Sequence, residues 1–263
     1  MDKHALHSRW ELAHSAARQA GQLTLKYFQS DDLPVELKHD QSPVTIADRQ
    51  AEQLLRELIE RAFPTDAILG EEFGEQPGTS GYRWILDPID GTQSFIHGVP
   101  LYGTLVGVEH HERSEIGVIY IPALDECVYA ATGQGAWYER GAAGRSPARV
   151  SRTETLSQSL ICSSDTRFHT PPRRAAYARL QEAVQLSRTW GDCYGYLLVA
   201  TGRAEVMLDP IMNVWDAAAL QPVLTEAGGT FTDWQGRETI YSGDGIATNG
   251  RVLDEVLAIT RGA

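Results

Sequence analysis

The chain has 263 residues, enough for one large domain or two closely packed lobes, and 42% of them are hydrophobic, enough for a sizeable core. Thirty-five acidic residues against 23 basic ones leave a net charge of −12. That balance excludes the basic footprint a nucleic-acid partner requires and suits a site that gathers divalent cations.

Residues 8–28 carry Trp10, Ala13, Ala17, Ala20 and Leu23 on one stripe, predicting an amphipathic helix. Residues 46–63 predict a second, with Leu54, Leu55, Leu58 and Ile59 on its apolar face and Pro64 as its stop. A short apolar run at 67–69 reads as a strand ending at Glu71. Strand-like runs then follow at 82–86, 101–109, 115–121, 127–132 and 136–138, separated by Gly, Pro and charged residues, with 141–144 as a hairpin tip. His110 and His111 fall in an exposed turn.

Beyond about residue 155 the pattern changes. Strands at 160–163, 205–208 and 245–248 alternate with helices at 173–186, 194–200, 214–227 and 252–259, predicting a second sheet with helices against it. Residues 1–150 therefore read as an α+β lobe and 151–263 as an α/β lobe, with a site in the crevice between them. Cys127, Cys162 and Cys193 are far apart and form no CxxC pair, so they read as buried thiols of a reducing compartment. No stretch approaches a membrane span or a signal-peptide core, which makes a cytoplasmic enzyme the expectation.

The chemistry concentrates in Trp84-Ile85-Leu86-Asp87-Pro88-Ile89-Asp90-Gly91-Thr92. An apolar run ends abruptly at an aspartate, Pro88 is expected to block further strand pairing, and Gly91 permits a tight turn. Two carboxylates three residues apart on such a turn converge on one point, and hard oxygen ligands suit Mg²⁺. A helix opening at Thr92 would present amides to a phosphate at the same point. Taken alone, the run also fits a strand-to-helix turn with two capping aspartates. Glu71 at a strand end, Asp48 in a helix's first turn and Asp216 in another add acidic groups, although Asp216 by itself also fits a plain cap.

These stretches carry a resemblance. Lys38-His39-Asp40-Gln41-Ser42-Pro43-Val44-Thr45-Ile46-Ala47-Asp48, Gly70-Glu71-Glu72, the run 84–92 and Trp215-Asp216-Ala217-Ala218-Ala219 stand in the order and spacing of the inositol monophosphatase-like family of metal-dependent, lithium-sensitive phosphatases. The chain resembles that family over nearly its whole length. The resemblance implies an α+β fold, a layered αβαβα sandwich of the inositol monophosphatase/fructose-1,6-bisphosphatase type, commonly a homodimer. It also implies two or three Mg²⁺ ions. One is held by Glu71, Asp87 and the Ile89 carbonyl, and a second by Asp87, Asp90 and Asp216. A third lies near Glu71 through waters. Thr92 matches the threonine that bonds the attacking water, Asp48 the aspartate that pairs with that threonine, and Gly91 and Thr92 meet the phosphate.

Substrate choice lies outside these ligands, in the segment from Trp190 to Tyr196 and around Asp209. Gly191-Asp192-Cys193-Tyr194 stands where inositol-type members carry Gly-Ser-Ala-Ala, and with the run 95–104 it resembles the histidinol-phosphate phosphatase branch. Asp209 precedes Asp216 by seven residues, where inositol-type members place a carboxylate that contacts the alcohol. On this resemblance Asp192 and Asp209 pair with the cationic groups of histidinol phosphate, and Tyr194 stacks on its ring. A helix N-cap is the competing role for Asp192. Alternative functions are an inositol monophosphatase, a 3′-phosphoadenosine nucleotide phosphatase or a non-catalytic metal-binding relative. His97 reads as surface packing, and the basic stretch from Arg167 to Arg179 as a solvated face with a possible part in the substrate entrance or dimer contact.

Overall fold

The computed structural model describes residues 3–30, 33–37, 43–165 and 170–261. Residues 38–42 of the first motif and Arg167 lie outside them. Helices α1 (Lys3–Thr24) and α2 (Ile46–Ala62) flank a short antiparallel pair, β1 (Val35–Leu37) and β2 (Pro43–Thr45). An eight-stranded sheet follows: β3 (Ala67–Gly70), β4 (Gly74–Gln76), β5 (Tyr82–Asp90), β6 (Gly103–His110), β7 (Arg113–Ile121), β8 (Glu126–Ala131), β9 (Gly135–Arg140) and β10 (Arg145–Pro147), with α3 (Thr92–Ile96) after β5. Its order is β10-β9-β8-β7-β6-β5-β3-β4, antiparallel except where β3 runs parallel to β5. The rest comprises β11 (Leu160–Ser163), α4 (Pro171–Ala183), β12 (Leu186–Arg188), α5 (Asp192–Ala200), β13 (Val206–Asp209), α6 (Val214–Ala217), α7 (Leu220–Glu226), β14 (Thr230–Thr232), β15 (Gly245–Thr248) and α8 (Leu253–Thr260). Five of these strands form a second sheet, β12-β11-β13-β15-β14, in which β11 is parallel to both neighbours.

The period of two along each strand builds the layers. In the first sheet Trp84, Leu86, Val106 and Val118 face α1 and α2, meeting Trp10, Ala13, Ala17, Leu55 and Ile59. Their neighbours Ile85, Leu105 and Ile119 face the other way, onto α5 and α7. The second sheet repeats the pattern: Cys162, Met207 and Ala247 meet the same central helices, while Ile161, Val206, Leu208 and Ile246 face α4 and α8. The result is a five-layer αβαβα sandwich, the architecture the resemblance implied.

Two departures from the expected elements have local causes. β5 does not stop at Leu86. It continues through Pro88 to Asp90, with a bulge between Asp87 and Asp90 where the ladder to β6 is interrupted. The bulge accommodates the proline's missing N–H, and Thr104 Oγ1 donates to the Pro88 carbonyl at 2.9 Å. The single helix expected at 214–227 is two, α6 and α7. Pro222 has no N–H to give the Ala218 carbonyl, and Ser114 Oγ donates to that carbonyl instead, at 2.7 Å.

That junction rests on a smooth patch of the sheet. Gly107 and Gly117 are partners across β6 and β7. A Cβ on Gly107 would lie 2.7 Å from that of Ala218, and one on Gly117 would overlap the Ala219 carbonyl. The paired glycines thus let the backbone at 218–219 seat directly on the sheet, which carries Asp216 toward β5. Gly117→Ala is expected to lower stability by about 1–3 kcal/mol through overpacking, read as a shift in the urea midpoint.

Candidate active site

β3 and β5 are parallel neighbours, so their C-terminal ends share one edge of the sheet. Glu71 follows β3, and its amide continues the ladder by donating to the Leu86 carbonyl at 3.2 Å. Asp87 and Asp90 sit on either side of the β5 bulge. Asp216 arrives from α6, where it closes a capping box: the Asn213 amide donates to its Oδ2 at 2.6 Å. One oxygen each from Asp87, Asp90 and Asp216 lies within 4.8 Å of the others. The plain-cap role and the cluster role of Asp216 thus coexist.

The donor set fits a hard divalent cation. Asp87 is 2% exposed, and its buried Oδ1 has no hydrogen-bond partner. Burial first, then the charges of Glu71, Asp90 and Asp216, push the Asp87 carboxyl well above the usual range. Asp90 is raised by burial and then by Asp192 and Asp216. Asp216 is pushed up to about 6, chiefly by burial, with Glu71 adding. Carboxylates gathered at such cost, one with an orphaned oxygen, form a donor set whose repulsion a divalent cation would relieve.

The remaining predicted residues sit close by, with different partners from those expected. Gly91 is the left-handed N-cap of α3 (φ 82°), and Thr92 opens that helix. Thr92 Oγ1 donates to the Ile89 carbonyl at 3.1 Å, whereas Asp48 Oδ2 accepts from the Thr45 amide and hydroxyl at 2.8 and 2.6 Å. The expected Asp48–Thr92 pair is therefore replaced by a Thr45–Asp48 capping box at the start of α2. Asp48 is buried, which raises its pKa, and Glu71 adds to that rise.

Beside the cluster opens a cavity of about 100 Å³ whose lining, among the described residues, includes four carboxylates, Asp90, Asp192, Asp209 and Asp216, and no Lys, Arg or His. A wider depression of about 360 Å³ beside α7 contains none of the cluster residues. Asp192 and Asp209 thus sit where substrate specificity was expected. Asp192 is not the N-cap of α5. That position is Gly191, and Asp192 follows it with φ 53°, a left-handed conformation strained for an aspartate. Its amide donates to Ser164 Oγ at 2.9 Å, and the bare Cα of Gly91 makes room for its carboxyl.

Tyr194 does not line the cavity. The turn of α5 that aims Asp192, Cys193 and Tyr196 inward carries Tyr194 to the other side, where Arg203 stands 5.9 Å from its ring. The ring-stacking role expected of it is corrected accordingly. Of the lining residues, Ser164, Ile211, Met212 and Leu220 escaped the sequence reading, whereas Tyr196 closes the segment in which substrate choice was expected. Ser164 donates to Asp209 Oδ1, and Tyr196 donates to Asp209 Oδ2 at 2.9 Å. His97 is exposed, its Nδ1 2.8 Å from the Gln93 carbonyl. From the basic stretch, Arg173 braces the end of β13, donating to the Pro210 carbonyl and pairing with Asp244.

These shifts fix a pH dependence. Folding raises the Asp87, Asp90 and Asp216 pKa values, and Asp209 goes to about 7, so the folded state binds more protons than the unfolded chain. Such groups stabilise at low pH and lose that contribution as pH rises through the folded values. Chelator-treated protein is expected to melt at a lower temperature as pH rises from about 5 to about 7, and saturating Mg²⁺ should flatten that slope. A melting temperature that rises over this interval in EDTA would contradict the cluster's electrostatics.

The fold and site define a five-layer αβαβα protein with a carboxylate cluster at its strand ends, able to hold a cation beside a small acidic cavity. The chain matches the inositol monophosphatase family model over residues 6–262 and belongs to that family. It is 45% identical to the histidinol-phosphatase of Chlorobaculum parvum, over 96% of each chain, and 39% identical to that of Mycobacterium tuberculosis, over 95% of this chain and 97% of the relative. Among solved structures, the extragenic suppressor protein suhB of Bartonella henselae superposes with a TM-score of 0.88 at 28% identity, covering 97% of this chain and 99% of that one. With these relatives and this family, the chain is an enzyme of the phosphatase class. Among the described residues no helix is long and apolar enough to cross a membrane.

Proposed function

We propose that the protein hydrolyses histidinol phosphate to histidinol and phosphate with Mg²⁺, two or three ions held by Glu71, Asp87, the Ile89 carbonyl, Asp90 and Asp216. The observation that carries the substrate is the cavity beside the cluster, where Asp192 and Asp209 lie together and no described lining residue is basic. A leaving group bearing an ammonium and an imidazole answers the charge of both carboxylates, whereas a polyol brings hydroxyl donors but no positive charge. The names of relatives 38–45% identical, all histidinol-phosphatases, support the same reading.

Held by these carboxylates, Mg²⁺ would supply charge to neutralise the phosphate and would lower the pKa of a nearby water, the chemistry hydrolysis at neutral pH needs. Gly91 and Thr92 receive the phosphate at the start of α3, and the Thr92 hydroxyl orients the attacking water. Asp48 acts on the site through the field it shares with Glu71. Asp192 and Asp209 hold the cationic alcohol in the cavity that adjoins the cluster. The reading carries with it inhibition by Li⁺, a cytoplasmic homodimer and a role in histidine biosynthesis, with no nucleic-acid or membrane partner.

The test is phosphate release by chelator-treated protein titrated with MgCl₂, using histidinol phosphate, inositol 1-phosphate, 3′-phosphoadenosine 5′-phosphate and para-nitrophenyl phosphate at equal concentrations. Histidinol phosphate should give the highest kcat/KM, and only with Mg²⁺. Full turnover in excess EDTA would refute the metal chemistry, and a preference for inositol 1-phosphate would refute the substrate.

A further inference from the structure

Glu52 lies on α2, outside the acidic cluster, and is wholly buried. Its carboxylate is spent on a turn. Oε2 accepts from the Glu72 amide at 2.7 Å, and Oε1 accepts from the Phe73 amide at 3.2 Å and from Arg56 Nε at 2.8 Å. Arg56, itself 7% exposed, uses Nη2 to donate to the Gly74 carbonyl at 2.5 Å. One buried ion pair therefore holds three successive backbone groups of the turn between β3 and β4, whose first residue is Glu71. Gly70 makes the approach possible, because any side chain there would overlap the Glu52 carboxylate. The hairpin closes at that point, with Gly70 opposite Gly74.

A buried carboxylate is costly unless answered, and an apolar side chain would fill this space at less expense. What the charge supplies is direction: a carboxylate accepts from both amides at once and fixes the backbone on which Glu71 is carried. We infer that Glu52 and Arg56 are positioning residues that hold Glu71 in place for divalent-cation binding. The inference rests on the proposed metal role of Glu71.

Glu52→Gln keeps the volume but turns an NH₂ toward one donor and deprives Arg56 of its counter-charge. The double variant Glu52→Gln/Arg56→Gln removes that uncompensated charge as well. Calorimetric titration of Mg²⁺ into chelator-treated protein is expected to show a dissociation constant raised about tenfold to a hundredfold in both, the usual effect of removing groups that orient a ligand. At saturating Mg²⁺, kcat should return close to wild type, a split that general damage would not give. In the wild type, the Glu72 and Phe73 amides should exchange slowly with solvent, and more slowly still with Mg²⁺, because the coupling is reciprocal. Unchanged Mg²⁺ affinity in folded variants would overturn the inference. So would fast or Mg²⁺-insensitive exchange at those two amides, a measurement that needs no variant. A wild type that binds no Mg²⁺ would overturn the proposed function itself, a separate and recognisable result.

Discussion

Asp87→Asn is expected to lower kcat by about a hundredfold or more while leaving the metal-free protein as stable as wild type or more so. The two effects share one cause. Asp87 is 2% exposed, has an unpartnered Oδ1, and lies in the field of Glu71, Asp90 and Asp216. Neutralising it relieves repulsion among the clustered carboxylates and removes a charge that a bound cation would need. Thermal melts in EDTA and in MgCl₂ should therefore cross: the variant melts at or above wild type without metal and below it with metal, since wild type alone gains binding energy by mass action. Near-normal kcat with intact metal binding would show that Asp87 is not a ligand.

Asp209→Asn should separate substrates rather than disable the enzyme. The Asp209 carboxyl is buried at the base of the cavity, held by Ser164 and Tyr196, and pushed up to about 7 chiefly by that burial. An asparagine keeps an acceptor for Tyr196 and a donor for Ser164, so the local packing should survive. What it loses is the charge that answers an ammonium. Losing one charge-assisted contact removes about 1.5–3 kcal/mol, roughly a tenfold to hundredfold fall in kcat/KM for histidinol phosphate. Para-nitrophenyl phosphate has no ammonium and should be hydrolysed nearly as before, because phosphate and metal contacts are common to all monoesters. Equal losses on both substrates would reduce Asp209 to a packing residue.

Much of this arrangement was legible in the chain. The alternation at 82–86 and 115–121 gave the long strands, and a stripe such as Trp10, Ala13, Ala17 and Ala20 gave α1, because those periods come from local geometry. Asp87, Asp90 and Asp216 were readable as a set through the motifs that hold them. The three-residue strands β1, β2, β4, β10, β12 and β14 were not, since two alternations make no detectable period. Tyr194 was misplaced for a related reason. Nearly every residue of α5 after it is buried, so hydrophobicity does not mark which side of the helix faces the site. Its partner Arg203 is brought there by the fold. The Asp48–Thr92 pairing failed because a nearer partner, Thr45, already sits in the capping position. The break between α6 and α7 had a visible sign in Pro222, whose missing N–H left the Ala218 carbonyl to Ser114.

The seating of Asp216 on the Gly107–Gly117 patch also sets a schedule for synthesis. All eight strands of the first sheet, with Glu71, Asp87 and Asp90 at their edge, leave the ribosome before α6 exists. Domains fold as their chain emerges, so this sheet can form while its acidic edge still faces water and its carboxylates remain hydrated. Only when the backbone at 218–219 docks on the two glycines does Asp216 arrive and the cluster become dry. The newborn chain is thus spared the burial of like charges until its last layers are at hand, and a truncated product ending before α6 lacks one wall of the cavity and the third carboxylate of the cluster.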